Sequence, residues 1–236
     1  MKILAHRGAH DPEHPGIREN TLEAFAAAAA LGIDGVELDV RWSVDHHLFV
    51  HHDVAVPDGR VIADTLGAEL PAWLPKLEAV LDLCAGMRLI DVEIKNAPLE
   101  PGYDAGHGVG RAVAELTGAR GLSGRASDLL VSSFNLATLD AFHLADRATR
   151  TGWLTLPAYD QGRAAHDAAS SGHQALHPPA RVTDGETVDI AHGLGLDVVV
   201  WTVNDAAQME LMAGLGVDVM VTDYPALALK VLGQAS

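Results

Sequence analysis

Cysteine is nearly absent. Cys84 stands alone among 236 residues, so no disulfide forms within the chain, which fits a reducing, cytoplasmic setting. Basic residues are also scarce: 16 Lys+Arg face 32 Asp+Glu, a formal net charge of −16. Phosphate backbones are gripped by clustered Lys and Arg, so nucleic acid is disfavoured as a partner. Stable association with an anionic membrane surface is disfavoured for the same reason. Long apolar runs are missing too. No window approaches the ~18–20 residues of a membrane span, and the opening MKILAHR turns polar too soon for a secretory signal. With 48% apolar and 20% charged residues the chain is not disordered. It shows no internal repeat, linker or low-complexity tail. One domain over residues 1–236 is expected.

What is present is an alternation of strand and helix. The expected strands are Ile3–Ala5, Val36–Arg41, Leu48–His51, Arg88–Ile94, Leu129–Ser132, Thr151–Leu154, Ala175–His177, Val198–Thr202 and Val217–Thr222. Several are unbroken Val/Ile/Leu runs, as parallel strands covered on both faces require. Helical patterns lie between them. In the first, Asn20 reads as the cap, Glu23 as its capping-box partner and Gly32 as the stop. The others are Leu74–Cys84, Val109–Leu116, Leu136–Ala145, Gly162–Ser170, Glu186–Leu194, Ala206–Leu215 and Ala226–Leu232. With Leu48–His51 taken as an extension of the second strand, eight strands remain, each followed by a helix. An α/β fold of the (β/α)8 TIM-barrel type is therefore expected. An open doubly wound sheet is the runner-up, but no GxGxxG follows the first strand. Residues 57–71 and 96–108 read as irregular connections.

Barrel active sites lie at the C-terminal ends of the strands. There the sequence places His6-Arg7-Gly8, Glu37 and Asp39, His52-Asp53, Glu93 and Lys95, Ser132-Ser133-Phe134, His177-Pro178, Trp201 to Asn204, and Thr222-Asp223-Tyr224-Pro225. Glu37 and Asp39 stand two apart on one strand and so point to one face, as do Asp91, Glu93 and Lys95. Carboxylates crowded in a barrel mouth repel one another. A hard divalent cation resolves this, with Glu37, Asp39 and Glu93 as oxygen ligands and open positions for water and substrate. A structural ion-pair cluster with Arg7 and Lys95 is the alternative. His6 and His52 are the proton-transfer candidates. His10, His14, His46, His47, His107, His143, His166, His173 and His192 read as surface or loop residues. Arg7 offers a planar fork to phosphate oxygens and Lys95 a point charge. Trp201 suits either the core or a small organic group.

His6-Arg7-Gly8, Glu19-Asn20-Thr21, Glu37-x-Asp39-Val40, His52-Asp53, Glu93-x-Lys95, Trp201-Thr202-Val203-Asn204 and Gly216-Val217-Asp218…Thr222-Asp223-Tyr224-Pro225 together resemble the glycerophosphodiester phosphodiesterase family. The resemblance runs nearly the whole length, in the family's order. It implies a TIM-type barrel, a divalent cation (Mg2+ or Ca2+), and hydrolysis of glycerophosphodiesters to glycerol 3-phosphate and an alcohol. Glu37, Asp39 and Glu93 would hold the metal, and His6 and His52 would be the acid/base pair. Arg7 and Lys95 would face the phosphate, Trp201 the glycerol end, and Glu19 would lie nearby.

The chain departs from the family where head groups are selected. Residues 54–63 lack the Thr/Arg-rich stretch that often follows His-Asp, and the usual Asp-Gly turn is Asp45-His46. A lysophospholipase D-like activity on lipid substrates is the nearest alternative. The connections 57–67 and 96–108 are expected to offer little apolar surface for it. A non-catalytic barrel that binds a phosphate ligand is a further alternative.

Overall fold

The computed structural model describes residues 1–10, 13–124 and 129–233. The strands are β1 (Lys2–His6), β2 (Gly35–Trp42), β3 (Leu48–Val50), β4 (Leu89–Ile94), β5 (Leu129–Ser133), β6 (Arg150–Leu154), β7 (Ala175–His177), β8 (Asp197–Val200) and β9 (Val219–Thr222). The helices are α1 (Leu22–Ala30), α2 (Leu77–Leu83), α3 (Gly108–Ala119), α4 (Leu136–Ala145), α5 (Gln161–Ser170), α6 (Gly185–Gly193), α7 (Ala206–Leu215) and α8 (Pro225–Val231).

Among the described residues, β1, β2 and β4 to β9 pair in parallel, and β1 pairs with both β2 and β9, which closes an eight-stranded barrel. The expected (β/α)8 architecture is the one found. β3 lies outside the ring, antiparallel to β2 with Val40 opposite Val50, so residues 48–51 form the return arm of a hairpin rather than an extension of the second strand. The irregular stretch after it carries two short 3-10 turns, Ile62–Asp64 and Gly67–Glu69. No helix is long and apolar enough to cross a membrane among the described residues.

Local chemistry sets the element boundaries. Thr21, Asp160, Asp184 and Asp205 each accept a hydrogen bond from the amide three residues on, capping α1, α5, α6 and α7. Asn20 is thus not the cap of α1. It sits at φ +54, is buried, and turns its amide into the barrel mouth. Outside the barrel, strand residues such as Ile3, Val36, Val92 and Val131 pack against the helices. Inside, Leu4, Leu89, Leu130, Ala175, Val199 and Val219 form the apolar bottom layer. Gly35 belongs to this level: a Cβ there would collide with the Leu89 carbonyl, so only glycine lets β2 and β4 pair as they do.

Candidate functional site

Period-two geometry carries the same inward face upward from that bottom layer. On β4 the face reads Leu89, Asp91, Glu93 and then Lys95, passing from apolar to ionisable as it approaches the mouth. Because β1, β2 and β4 are neighbours in register (His6 beside Glu37, Asp39 beside Glu93), residues separated by dozens of positions meet there. They line a cavity of about 170 Å3. Of the expected residues, His6, Arg7, His52, Lys95 and Trp201 line it, with Glu37 and Glu93 between them. Asp39 is fully buried behind this wall, and Glu19 stands outside it, paired to Arg7 through Nη1 at 2.9 Å.

One carboxylate oxygen each from Glu37, Asp39 and Glu93 lie within 4.8 Å of one another. Two cations face them. Lys95 Nζ is 2.9 Å from Glu93 Oε1 and 3.4 Å from Asp39 Oδ1, and Arg7 Nε is 3.2 Å from Asp39 Oδ2. Asn20 Nδ2 donates to Asp39 Oδ2 at 2.8 Å. Arg7 takes a left-handed conformation, φ +56, so that its backbone N–H faces the Glu37 carboxylate at 3.2 Å. Gly8 follows at φ +85 directly against Ala24, a close approach that a side chain would block.

The three carboxyl groups respond differently. Burial pushes Glu37 and Glu93 upward. The neighbouring carboxylates push the same way, and Lys95 only partly offsets the rise at Glu93. Burial also acts on Asp39, but Lys95 and Arg7 outweigh it and hold that carboxyl well below the usual range. Two cations thus do not balance three carboxylates. Asp39 Oδ1 and Glu93 Oε1 are both buried, and Lys95 is the cation shared between them. Hard oxygen donors and excess negative charge at one point fit a divalent cation.

The two histidines have different surroundings. His6 Nδ1 lies 2.6 Å from Asp223 Oδ1, leaving Nε2 toward the Glu37 carboxylate at 3.8 Å. Asn204 Nδ2 donates to the other Asp223 oxygen at 2.6 Å, and Asn204 Oδ1 accepts from the Asp223 amide. Burial alone would raise Asp223, but hydrogen bonds from His10, His6 and Asn204 outweigh it and hold the carboxyl far below the usual range. His52 Nδ1 is 2.8 Å from Asp53, and Arg41 Nε donates to the His52 carbonyl at 2.8 Å, fixing the end of the hairpin.

Sequence reasoning put Asp223 and Asn204 at strand ends without giving them a role. The available signal was that the first and last strands of a closed barrel are neighbours, which brings His6 beside Asp223. His10 and His173, expected at the surface or in loops, are buried. His10 folds to within 3.6 Å of Asp223, and His173 bonds Thr151 and Asp140. Asp91 lines the cavity, on the inward face that its spacing from Glu93 predicts. Its carboxyl, buried foremost, is pushed up to about 8. The connection at 96–108 was expected to be poor in apolar surface, yet Leu99 is fully exposed on it and Tyr103 partly so.

Residues 6–227 match the model of the glycerophosphoryl diester phosphodiesterase family. The glycerophosphodiester phosphodiesterase of Bacillus altitudinis is 30% identical over 254 aligned positions, covering 98% of this chain and 97% of that protein. A shorter match, 46% identical over 54 residues, is to the glycerophosphodiester phosphodiesterase of Caldanaerobacter subterraneus and spans 23% of this chain and 21% of that protein. Among solved structures, the Oleispira antarctica phosphodiesterase in complex with the product sn-glycerol-3-phosphate superposes with a TM-score of 0.80 at 22% identity, over 99% of this chain and 97% of that one. At that identity the likeness is one of fold.

Proposed function

The chain belongs to the glycerophosphoryl diester phosphodiesterase family, and on that premise we propose how it works: as one domain over residues 1–236, it cleaves water-soluble glycerophosphodiesters to glycerol 3-phosphate and an alcohol. The observation that carries this reading is the convergence of two imidazoles, two cations and the carboxylates of Glu37 and Glu93 on one cavity at the strand ends, with Asp39 directly behind them. The product bound by the Oleispira antarctica protein supports it.

Glu37, Asp39 and Glu93 would hold Mg2+ or Ca2+, which supplies charge to a phosphoryl oxygen and lowers the pKa of a neighbouring glycerol hydroxyl when bound. Arg7 and Lys95 orient the equatorial phosphate oxygens and stabilise the charge that builds on them. Asp223 accepts the Nδ1–H of His6 and leaves the Nε2 lone pair directed at the cavity. One histidine takes the proton of the glycerol hydroxyl as that oxygen attacks phosphorus, and the other protonates the departing alcohol. The resulting cyclic phosphate is opened by water with the two histidine roles reversed. Trp201 packs against the glycerol end, and Glu19 holds Arg7 in place.

A second reading, a lysophospholipase D-like activity, draws on one observation. An apolar cavity of about 250 Å3, lined by Ile94, Phe134 and Leu156, adjoins Glu93 and Lys95. One assay separates the two. The protein is incubated with glycerophosphocholine, glycerophosphoethanolamine or lysophosphatidylcholine, each with Mg2+, Ca2+ or EDTA, and released glycerol 3-phosphate and choline are measured. Metal-dependent glycerol 3-phosphate from the water-soluble diesters is expected. Choline from the lipid alone would favour the second reading. His6→Ala and His52→Ala should each lower kcat by about 10²-fold or more; near wild-type turnover in either would remove that residue from the mechanism.

A further inference from the structure

Beneath the acidic cluster lies a second polar layer that the chemistry above does not use. Asp91, Ser132 and His177 come from β4, β5 and β7. All three are almost wholly buried, yet all line the catalytic cavity. Barrel interiors usually fill such a layer with branched aliphatic side chains. Here Ser132 Oγ donates to Asp91 Oδ1 at 2.9 Å, and His177 Nδ1 lies 3.5 Å from Asp91 Oδ2. Among the described residues, His177 Nε2 is buried without a hydrogen-bond partner. The space for the imidazole is made by Gly152 on β6, where a Cβ would collide with Nε2.

A buried polar atom of this kind calls for a hydrogen-bonding occupant. The occupant's charge is constrained. Burial above all, and then Arg150, hold His177 down at about 3, so the ring is neutral and offers a neutral partner's hydrogen bond. The wall above is apolar and fixed. Trp201 Nε1 donates to the His177 carbonyl at 2.8 Å, and the Phe134 ring meets Trp201 edge-on at 5.4 Å. A pocket with an aromatic wall and a polar floor of imidazole and hydroxyl groups fits a short carbon chain ending in a hydroxyl.

We propose that this layer is a hydroxyl subsite: His177 and Ser132 read the terminal hydroxymethyl group of the substrate's glycerol moiety and select it over deoxy analogues. The inference rests on the proposed function, which puts the phosphate at the cluster above. A site built to bond a buried hydroxyl discriminates strongly against a ligand lacking it, because the protein's own polar groups are then left unpaired.

The test compares glycerophosphocholine with propane-1,2-diol 1-phosphocholine, each with the metal-loaded enzyme. The analogue keeps the hydroxyl that attacks phosphorus and replaces only the terminal CH2OH by CH3. The wild type should favour the glycerol diester by about 10²-fold or more in kcat/KM. In His177→Leu and in Ser132→Ala that ratio should fall below about five. The ratio is read rather than the absolute rate, so a general loss of activity does not imitate the effect. Equal kcat/KM for both substrates in the wild type would overturn the subsite without reliance on any variant. A wild-type ratio retained in both variants would also overturn it, leaving the layer a structural network closed by water. Hydrolysis of neither diester by the wild type would instead overturn the proposed function, and the subsite with it.

Discussion

His6 depends on a residue 217 positions away. Its Nδ1 meets Asp223, whose own carboxylate is held by Asn204, so an imidazole at one strand end is oriented by the last strand of the barrel. Asp223→Asn should keep the fold, lower kcat by about 10²-fold and leave KM nearly unchanged, since the substitution removes an orienting acceptor and no substrate contact. The same carboxyl bears on pH. Its folded-state pKa lies below the unfolded value of about 3.9. The stability it contributes is therefore fully present above about pH 4 and is lost as pH falls through the folded-state pKa. Acid titrations of melting temperature should show a shallower decline below pH 4 in Asp223→Asn than in the wild type. Parallel declines would show that the His6–Asp223 pair contributes nothing to acid stability. At this scale the ionisable residues were legible from spacing alone, because Glu37 and Asp39, or Glu93 and Lys95, must share a strand face. Asp223 was legible as a strand-end residue but not as the partner of His6, and His10 read as a surface or loop residue, because their partners lie on other elements.

At the scale of elements, the start of α1 separates structure from chemistry within two adjacent residues. The sequence pattern points to Asn20 as the cap. In the folded chain Thr21 caps, and Asn20 is drawn inward by Asp39. Both residues are capable caps, and a local pattern cannot rank them once one is claimed by a buried carboxylate three-dimensionally adjacent to it. Thr21→Ala should cost about 1 kcal/mol of stability in denaturant titration and leave kcat unchanged. Asn20→Ala should instead act on the site, raising the metal concentration needed for half-maximal activity by at least about tenfold through the freed Asp39 oxygen. If Thr21→Ala lowered kcat as Asn20→Ala does, the division of labour would be wrong. β3 is a similar case: three apolar residues, Leu48–Val50, suffice for a strand. Whether such a strand joins the barrel or turns back against β2 is decided by the turn at Asp45-His46, where His46 takes φ +63.

The whole molecule carries −16 charges while its cavity gathers Arg7, Lys95 and a candidate cation site. The global field repels an approaching anion, whereas the local charges act only at short range. Raising KCl from about 20 to 200 mM shortens the Debye length and should weaken the repulsion first. kcat/KM should therefore rise with salt for a net-anionic diester such as glycerophosphoglycerol and stay nearly flat for zwitterionic glycerophosphocholine. A fall with salt for the anionic diester would mean that local attraction dominates the approach.

By itself the sequence determined the alternation of elements, the eightfold count and the identity of the inward-facing acids and bases. These follow from hydrophobic periodicity and from the period of two along a strand, both of which are local. Only the closed barrel decided which groups meet. Pairing of β1 with β9 put Asp223 on His6, pairing of β1 and β2 with β4 beyond gathered the carboxylates around Lys95, and Gly152 let His177 lie beneath them. Those contacts depend on ring closure and on register between distant segments, which no local pattern encodes.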